Sequence, residues 1–330
     1  MPAWSRRFLL LLPALAASLL APTQAPAALS APSACAAGAR RAGSDARIRS
    51  AIEEARRQHR LFGGQTIERN GGMFRVGYHE AEWDRAPGDA TGTWQRVAAF
   101  WQALSASEPP RVMTSLGWVA RSEVAGLAAG HGEEAKQAEV ATREALLRAA
   151  IVDTPWSAAF ISYLMKTAGF SAGEFEFSDS HADYVRAALD TSLAEAAGRD
   201  SPYAFRACDV ATTRPRAGDL LCATRASSAR IVQFRALAAA MATRPPGLAF
   251  PMHCELVVRA DEGGDAKLDT IGGNVVQSVT LSHMTLDGRK LLGQAYIARG
   301  KPPAGCARAG GRCREHLTRR PWVVLLQFRR

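Results

Sequence analysis

The sequence predicts an α+β fold, and three features predict it. Apolar residues recur at three- and four-residue spacing through much of the first half, as on amphipathic helices. After Pro215 the texture changes to short apolar or alternating runs bounded by glycine-containing turns, as in strands. Helices first and antiparallel strands second point to segregated α and β elements rather than to a βαβ repeat.

At 330 residues the chain can hold a large core, in one domain or in a domain with an appended segment. Residues 1–28 read as a secretory signal peptide: Arg6 and Arg7 precede the apolar run 8–20, and small residues near Ala25 and Ala28 suit cleavage. The run is too short for an ordinary membrane span, so a periplasmic or secreted protein is expected. Residues 29–44, rich in Ala, Pro, Ser and Gly, read as a flexible leader. Residues 45–135 form a mainly helical N-terminal extension. Within it the pattern predicts a helix over 45–61 ended by Gly63-Gly64, a short strand over 73–78, and a helix over 94–104 carrying Trp94, Val97, Ala98 and Trp101 on one face.

Residues 136–330 form the α+β domain. A helix over 133–150 leads into a second one, for which Thr154 suits the N-cap, Pro155 the first position and Gly169 the left-handed residue after the last turn. Trp156, Phe160, Tyr163 and Leu164 mark its buried face. Asp179-Ser180-His181-Ala182-Asp183-Tyr184 starts another helix, capped by Ser178 or Ser180, and 190–215 reads as loop. Strands follow over 218–223, 253–258, 267–271, 275–286 and 322–328, with a helical insert over 227–246.

The formal charge is +10, and loss of Arg6 and Arg7 with the signal lowers it by two. The excess is scattered, without a dense basic run or an aromatic stripe. It fits attraction to an anionic envelope polymer, or simply an arginine-rich composition, and not a nucleic-acid partner. Six cysteines (35, 208, 222, 254, 306 and 313) all follow the signal, and an even number in an oxidising compartment predicts disulfides. Cys222 and Cys254 lie on neighbouring expected strands and suit a cross-strand bridge; 306–313 reads as a small stapled loop. There is no CxxC pair and no HxxxH pair, so neither a zinc site nor a cofactor is expected.

Ser157 falls in a first helical turn, where free N–H groups and the helix dipole favour developing negative charge. That position suits a nucleophile and equally an inert polar residue. His253 opens a strand, with Glu255 on the same face two residues on. Asn274, after two glycines, suits a turn or a group that fixes an imidazole tautomer. His181 reads as a first-turn residue and Asp219 as a structural residue bonding its own turn.

These residues, in this order, resemble the papain-like amidases of bacterial cell walls, the CHAP and NlpC-type families. Trp156-Ser157-Ala158-Ala159-Phe160 stands where their Trp-Cys-Ala-Ala-Phe motif stands, Gly218-Asp219-Leu220 resembles their first-strand signature, His253 their histidine, and Gly273-Asn274 the region of their third residue. The resemblance implies a helix packed on a small antiparallel sheet or barrel. It also implies a site of Ser157, His253 and Asn274, with Trp156, His181, Glu255 and Asp219 at the cleft or in support. More closely, residues from about 140 to 328 resemble an uncharacterised bacterial family, domain of unknown function 2272, which brings no established activity. The departure is serine for cysteine. Serine is not deprotonated at rest and needs a base during attack. Two expectations follow: an exported hydrolase of peptidoglycan or another amide or ester, or a peptidoglycan-binding module that has lost the thiol but kept a helix N-terminus able to bind carboxylates.

Overall fold

A computed structural model describes residues 35, 45–104, 132–245, 247–298 and 316–329. The expected signal peptide, nearly all of the leader and the Cys306–Cys313 loop lie outside the described residues. The described residues belong to one unit, residues 31–330. Their elements are α1 (Ala46–Leu61), β1 (Gln65–Ile67), β2 (Met73–Arg75), α2 (Thr93–Gln102), α3 (Glu133–Asp153), α4 (Ser157–Thr167), α5 (His181–Ala196), β3 (Phe205–Asp209), β4 (Leu220–Thr224), α6 (Phe234–Thr243), β5 (Met252–Ala260), β6 (Lys267–Val275), β7 (Ser278–Thr285) and β8 (Trp322–Phe328).

The α+β class holds, but the small antiparallel sheet or barrel does not. All eight strands form one open mixed sheet in the order β2-β1-β7-β6-β5-β4-β8-β3. Among these strand pairs β1–β7 alone is parallel. The difference comes from two short strands. Gln65–Ile67 has three residues and pairs β7 beyond the reach of any local hairpin, and Phe205–Asp209 lies in the stretch expected as loop. They lengthen the sheet at both ends, leaving β2 and β3 as edges; a barrel would need the end strands to pair. The segment before residue 105 therefore gives two helices and also two strands of the common sheet.

Both faces of the sheet are covered. The larger core joins residues of α1, α2, α4, α5 and α6 to one face, including Cys222, Cys254, Leu256 and Ile271. A smaller cluster of Leu221, Ala223, Val257, Leu268, Met284, Trp322 and Leu325 lies on the other. Strand alternation explains the division, because successive side chains point to opposite faces. Cys222 and Cys254 sit opposite one another in register and form the expected disulfide. A second disulfide joins Cys35 to Cys208 on β3. Asp219 is structural: fully buried, it accepts from the backbone N–H groups of Arg216 (2.9 Å) and Phe328 (3.0 Å) and pairs with the Arg216 guanidinium, tying β4 to the end of β8. Among the described residues no helix is long and apolar enough to cross a membrane.

Helix α4 opens two residues later than the capping pattern suggests. Thr154 instead ends α3, with an extended backbone (φ −117°, ψ 114°). A residue before proline is driven out of helical conformation, so Pro155 marks the break between two helices rather than the first turn of one. Ser157 is then the first residue of α4 and Trp156 its cap position. The other end is as expected. Gly169 has φ +85°, its N–H meets the Lys166 carbonyl (3.0 Å) and the Phe170 N–H the Met165 carbonyl (3.1 Å), a Schellman closure.

Nearly all of α4 is buried, against α1, α2 and strands β5 and β6. The approach to β6 is closest at Gly273. A β-carbon there would lie 2.6 Å from Phe160 Cβ and 2.8 Å from the Trp156 ring, closer than carbon atoms pack. The Gly273→Ala change should therefore cost about 1–3 kcal/mol by overpacking. Gly173→Ala, where a β-carbon meets nothing within 4 Å, should stay within about 0.5 kcal/mol. Urea denaturation of the two variants checks the contrast, and equal midpoints would contradict the packing argument.

Candidate active site at the start of α4 and α5

Ser157 and His181 are the first residues of α4 and α5, and the fold brings these two helix starts together. Ser157 Oγ lies 2.7 Å from His181 Nε2. Both are buried, at 3% and 4% exposure. The expected partner of Ser157 was His253; the hydrogen bond goes to His181 instead. The His253 ring stands beside that of His181, with centroids 5.4 Å apart and planes at 69°.

His253 has its own partner. Its Nε2 meets Glu255 Oε1 at 3.2 Å, the pairing that two-residue strand alternation suggests. Glu255 also accepts from Thr270 Oγ1 (2.5 Å) and pairs with Arg320 Nη1 (3.4 Å). Burial alone would push the Glu255 pKa up, but Arg320 first, then His253 and Thr270, outweigh it and hold the carboxyl at about 2. Glu255 is thus ionised, and His253 donates to it from Nε2. His253 itself is held neutral. Burial, then the Arg320 charge, lower its pKa to about 4 against the opposing pull of Glu255.

His181 is neutral for similar reasons: burial first, then His253, Arg225 and Arg320, push its pKa well below the usual imidazole value. Its Nδ1 is bonded to the hydroxyl of Tyr184, one turn along α5. Tyr184 is fully buried, and burial keeps its phenol protonated far above neutral pH. The site therefore contains a continuous chain Tyr184–His181–Ser157, and sequence spacing gives a signal for half of it. A His at one position and a Tyr three residues later share a helix face; nothing local connects either to Ser157.

Asn274 is not part of this chain. Its backbone is left-handed (φ +54°), at an irregularity within β6, and its amide donates to Glu80 Oε2 at 3.1 Å. The same oxygen accepts from the Trp156 indole at 2.7 Å. Glu80, buried at 3% exposure, thus holds the ring of the residue preceding Ser157. Burial raises its pKa, and the Trp156 hydrogen bond opposes that. Glu80 had no distinguishing signal in sequence, because it lies outside any recurrent pattern. Asp219 lies in its own turn, as expected, and takes no part.

Ser157 and His181 line a cleft of about 640 Å³ with Trp101, Phe177, Phe250 and the charged residues Asp179, Asp183, Arg225 and Arg244. Trp156, buried behind the cleft lining, offers no side-chain cap to α4. The first-turn N–H groups of a helix have no intrahelical acceptor, and Ser157, which opens the turn, lines the cleft, so its N–H is a candidate donor to an oxygen atom there. Among the described residues no group of three His, Cys, Asp or Glu side chains is placed to hold a metal ion. Chemically, the arrangement offers a hydroxyl bonded to a neutral imidazole, with helix-terminal donors beside it.

No curated protein and no solved structure matches this chain, and so none links it to the cell-wall amidases. Residues 88–328, most of the chain and all of the site except Glu80, match the model of the family described as "Uncharacterized protein conserved in bacteria (DUF2272)", and the chain belongs to that family.

Proposed function

We propose that this protein is an exported hydrolase of amide or ester bonds, acting through Ser157 with His181 as the proton acceptor. The observation that carries the reading is the 2.7 Å contact between Ser157 Oγ and a neutral imidazole inside a substrate-sized cleft. In the first step Ser157 Oγ attacks the carbonyl carbon and its proton passes to His181 Nε2. The carbonyl oxygen gains the negative charge and meets the free N–H groups at the start of α4. His181 then gives the proton to the departing amine or alcohol. Water, deprotonated by the same imidazole, releases the acyl group from Ser157. His253, tied to Glu255, forms the wall behind His181 rather than touching the serine. The resemblance to cell-wall amidases supports peptidoglycan as the polymer, and the two disulfides are compatible with an oxidising compartment outside the cytoplasm.

One observation favours the second reading, a peptidoglycan-binding module without turnover. The Tyr184 hydroxyl is buried, and among the described residues its partner is His181 Nδ1 alone. If the phenol donates, Nδ1 carries the lone pair and Nε2–H donates to Ser157. Serine then presents its own proton to the cleft, as a ligand-binding donor. The catalytic polarity leaves the phenol proton without an acceptor, at a cost of about 1–3 kcal/mol. A cost of that size slows a reaction roughly 10- to 100-fold and does not abolish it.

Three measurements decide between the readings. Fluorophosphonate labelling of the oxidised protein should vanish in Ser157→Ala and fall at least about 100-fold in His181→Gln, the scale of a lost general base, and much less in His253→Gln. Labelling that survives Ser157→Ala would remove the hydrolase reading. The labelling rate should hold as pH falls through 6.5, because His181 is already neutral there, and decline only at markedly lower pH. The same low pKa values make the fold acid-sensitive: below about pH 6.5 the unfolded chain binds protons that the buried imidazoles refuse, so stability falls as pH drops towards 4. Finally, ¹⁵N chemical shifts of His181 report the tautomer. An Nε2–H form that shifts towards Nδ1–H in Tyr184→Phe, with labelling maintained or faster, is the outcome expected of a hydrolase held back by its tyrosine. An Nε2–H form without labelling in either protein is that of a binding module.

A further inference from the structure

The cleft around Ser157 contains a positive charge without a counterion. Arg225 follows β4 directly, and its backbone N–H is held by the Pro251 carbonyl (3.1 Å) and Ser228 Oγ (3.2 Å), which fixes where the side chain starts. Among the described residues its guanidinium has no hydrogen bond and no ion pair. The other arginines nearby are engaged. Arg244 pairs with Asp183 (2.7 Å) and donates to the Leu248 carbonyl (2.7 Å), and Arg320 pairs with Glu255. The cleft's carboxylates do not answer Arg225 either: Asp183 is taken by Arg244 and Ser178, and Asp179 stands at the exposed rim without contacting it.

Arg225 is accessible, as a cleft-lining side chain must be, yet enough protein surrounds it that partial burial, then Arg320, lower its pKa. Its charge also reaches His181 and His253, where it helps suppress the imidazolium forms. A carboxylate is the natural complement: its two oxygens match the guanidinium fork and neutralise the field. We infer that Arg225 is the specificity residue of the cleft and that the substrate carries a carboxylate which it binds while the scissile carbonyl lies at Ser157. The inference rests on the hydrolase reading for the position of the carbonyl, and on the cleft alone for the carboxylate site. Neutralising Arg225 has a second effect, since it removes one of the charges that keep His181 a weak base. Binding the correct substrate thereby makes the base stronger.

Two matched esters test the proposal: mono-p-nitrophenyl adipate, and p-nitrophenyl hexanoate as a neutral chain of similar length. The adipate should be preferred at least tenfold in kcat/KM, and Arg225→Gln should remove most of that preference through KM, with Arg225→Lys retaining part. A preference unchanged in Arg225→Gln overturns the proposal. Adipate itself is the second probe, titrated by NMR into the full chain without its signal. Binding should raise the pKa of His181 and His253 and be lost in Arg225→Gln; equal binding in that variant overturns the carboxylate site. Absence of ester turnover with Arg225-dependent adipate binding would count against the hydrolase and leave the carboxylate site standing. Arg225→Gln should keep the wild-type urea midpoint, which separates loss of the site from loss of the fold.

Discussion

The placement of the site depends on how closely α4 lies against β6. Gly273 has no side chain because Phe160 and Trp156 occupy the space a β-carbon would take. That contact sets the depth of the helix in the fold, and Trp156 precedes Ser157. Glu80 then fixes the rotation of Trp156 by accepting its indole proton, and Asn274, the residue after Gly273, donates to the same carboxylate oxygen. A strand, a helix start and a loop thus meet on one residue. Packing and polar contacts agree about where the first turn of α4 must be, which is the condition for holding a small side chain such as serine in a single place.

Within that frame the local features were legible and the distant ones were not. The C-terminal closure of α4 at Gly169, the strand at 322–328 and the Cys222–Cys254 bridge each follow from nearest-neighbour chemistry: a left-handed glycine, an apolar run, two facing thiols. The Glu255–His253 pair follows from alternation along one strand. In contrast, β1 is three residues whose partner, β7, is more than 200 positions away, and no local pattern encodes such a pairing. His181 illustrates the same limit in the site. Its position as a first-turn residue was correct, but its contact with Ser157 arises because α4 and α5 begin at the same point in space. Asn274, expected either in a turn or beside the imidazole, lies instead at an irregularity of β6, and the tyrosine, rather than an asparagine, bonds the imidazole of the serine's partner.

The electrostatics of the site run in one direction. His181 and His253 are buried side by side, and the charges that reach them are mostly positive: Arg225 and Arg320, with Glu255 compensating only on the His253 side. His253 also makes His181 harder to protonate. Glu255 meanwhile is ionised by the same Arg320 that disfavours imidazolium. The result is a neutral pair of rings beside an ionised carboxylate that belongs to the sheet rather than to the nucleophile.

Such surroundings suit a serine better than a cysteine at this position. A cysteine–histidine couple rests as thiolate and imidazolium, so its histidine must accept a proton before the substrate arrives. At His181 that protonation is opposed by burial, by the neighbouring ring and by two arginines. A serine makes no such demand, since its hydroxyl and the imidazole are both neutral until attack. In the proposed hydrolysis the charge separation would be needed only in the transition state, when an oxyanion at the start of α4 would provide the negative charge that the resting site lacks. A carboxylate on Arg225 would ease it further by cancelling one of the opposing charges. The single-atom difference between serine and cysteine is therefore consistent with the rest of the site: a hydroxyl that remains uncharged is matched to the histidine that cannot easily be charged.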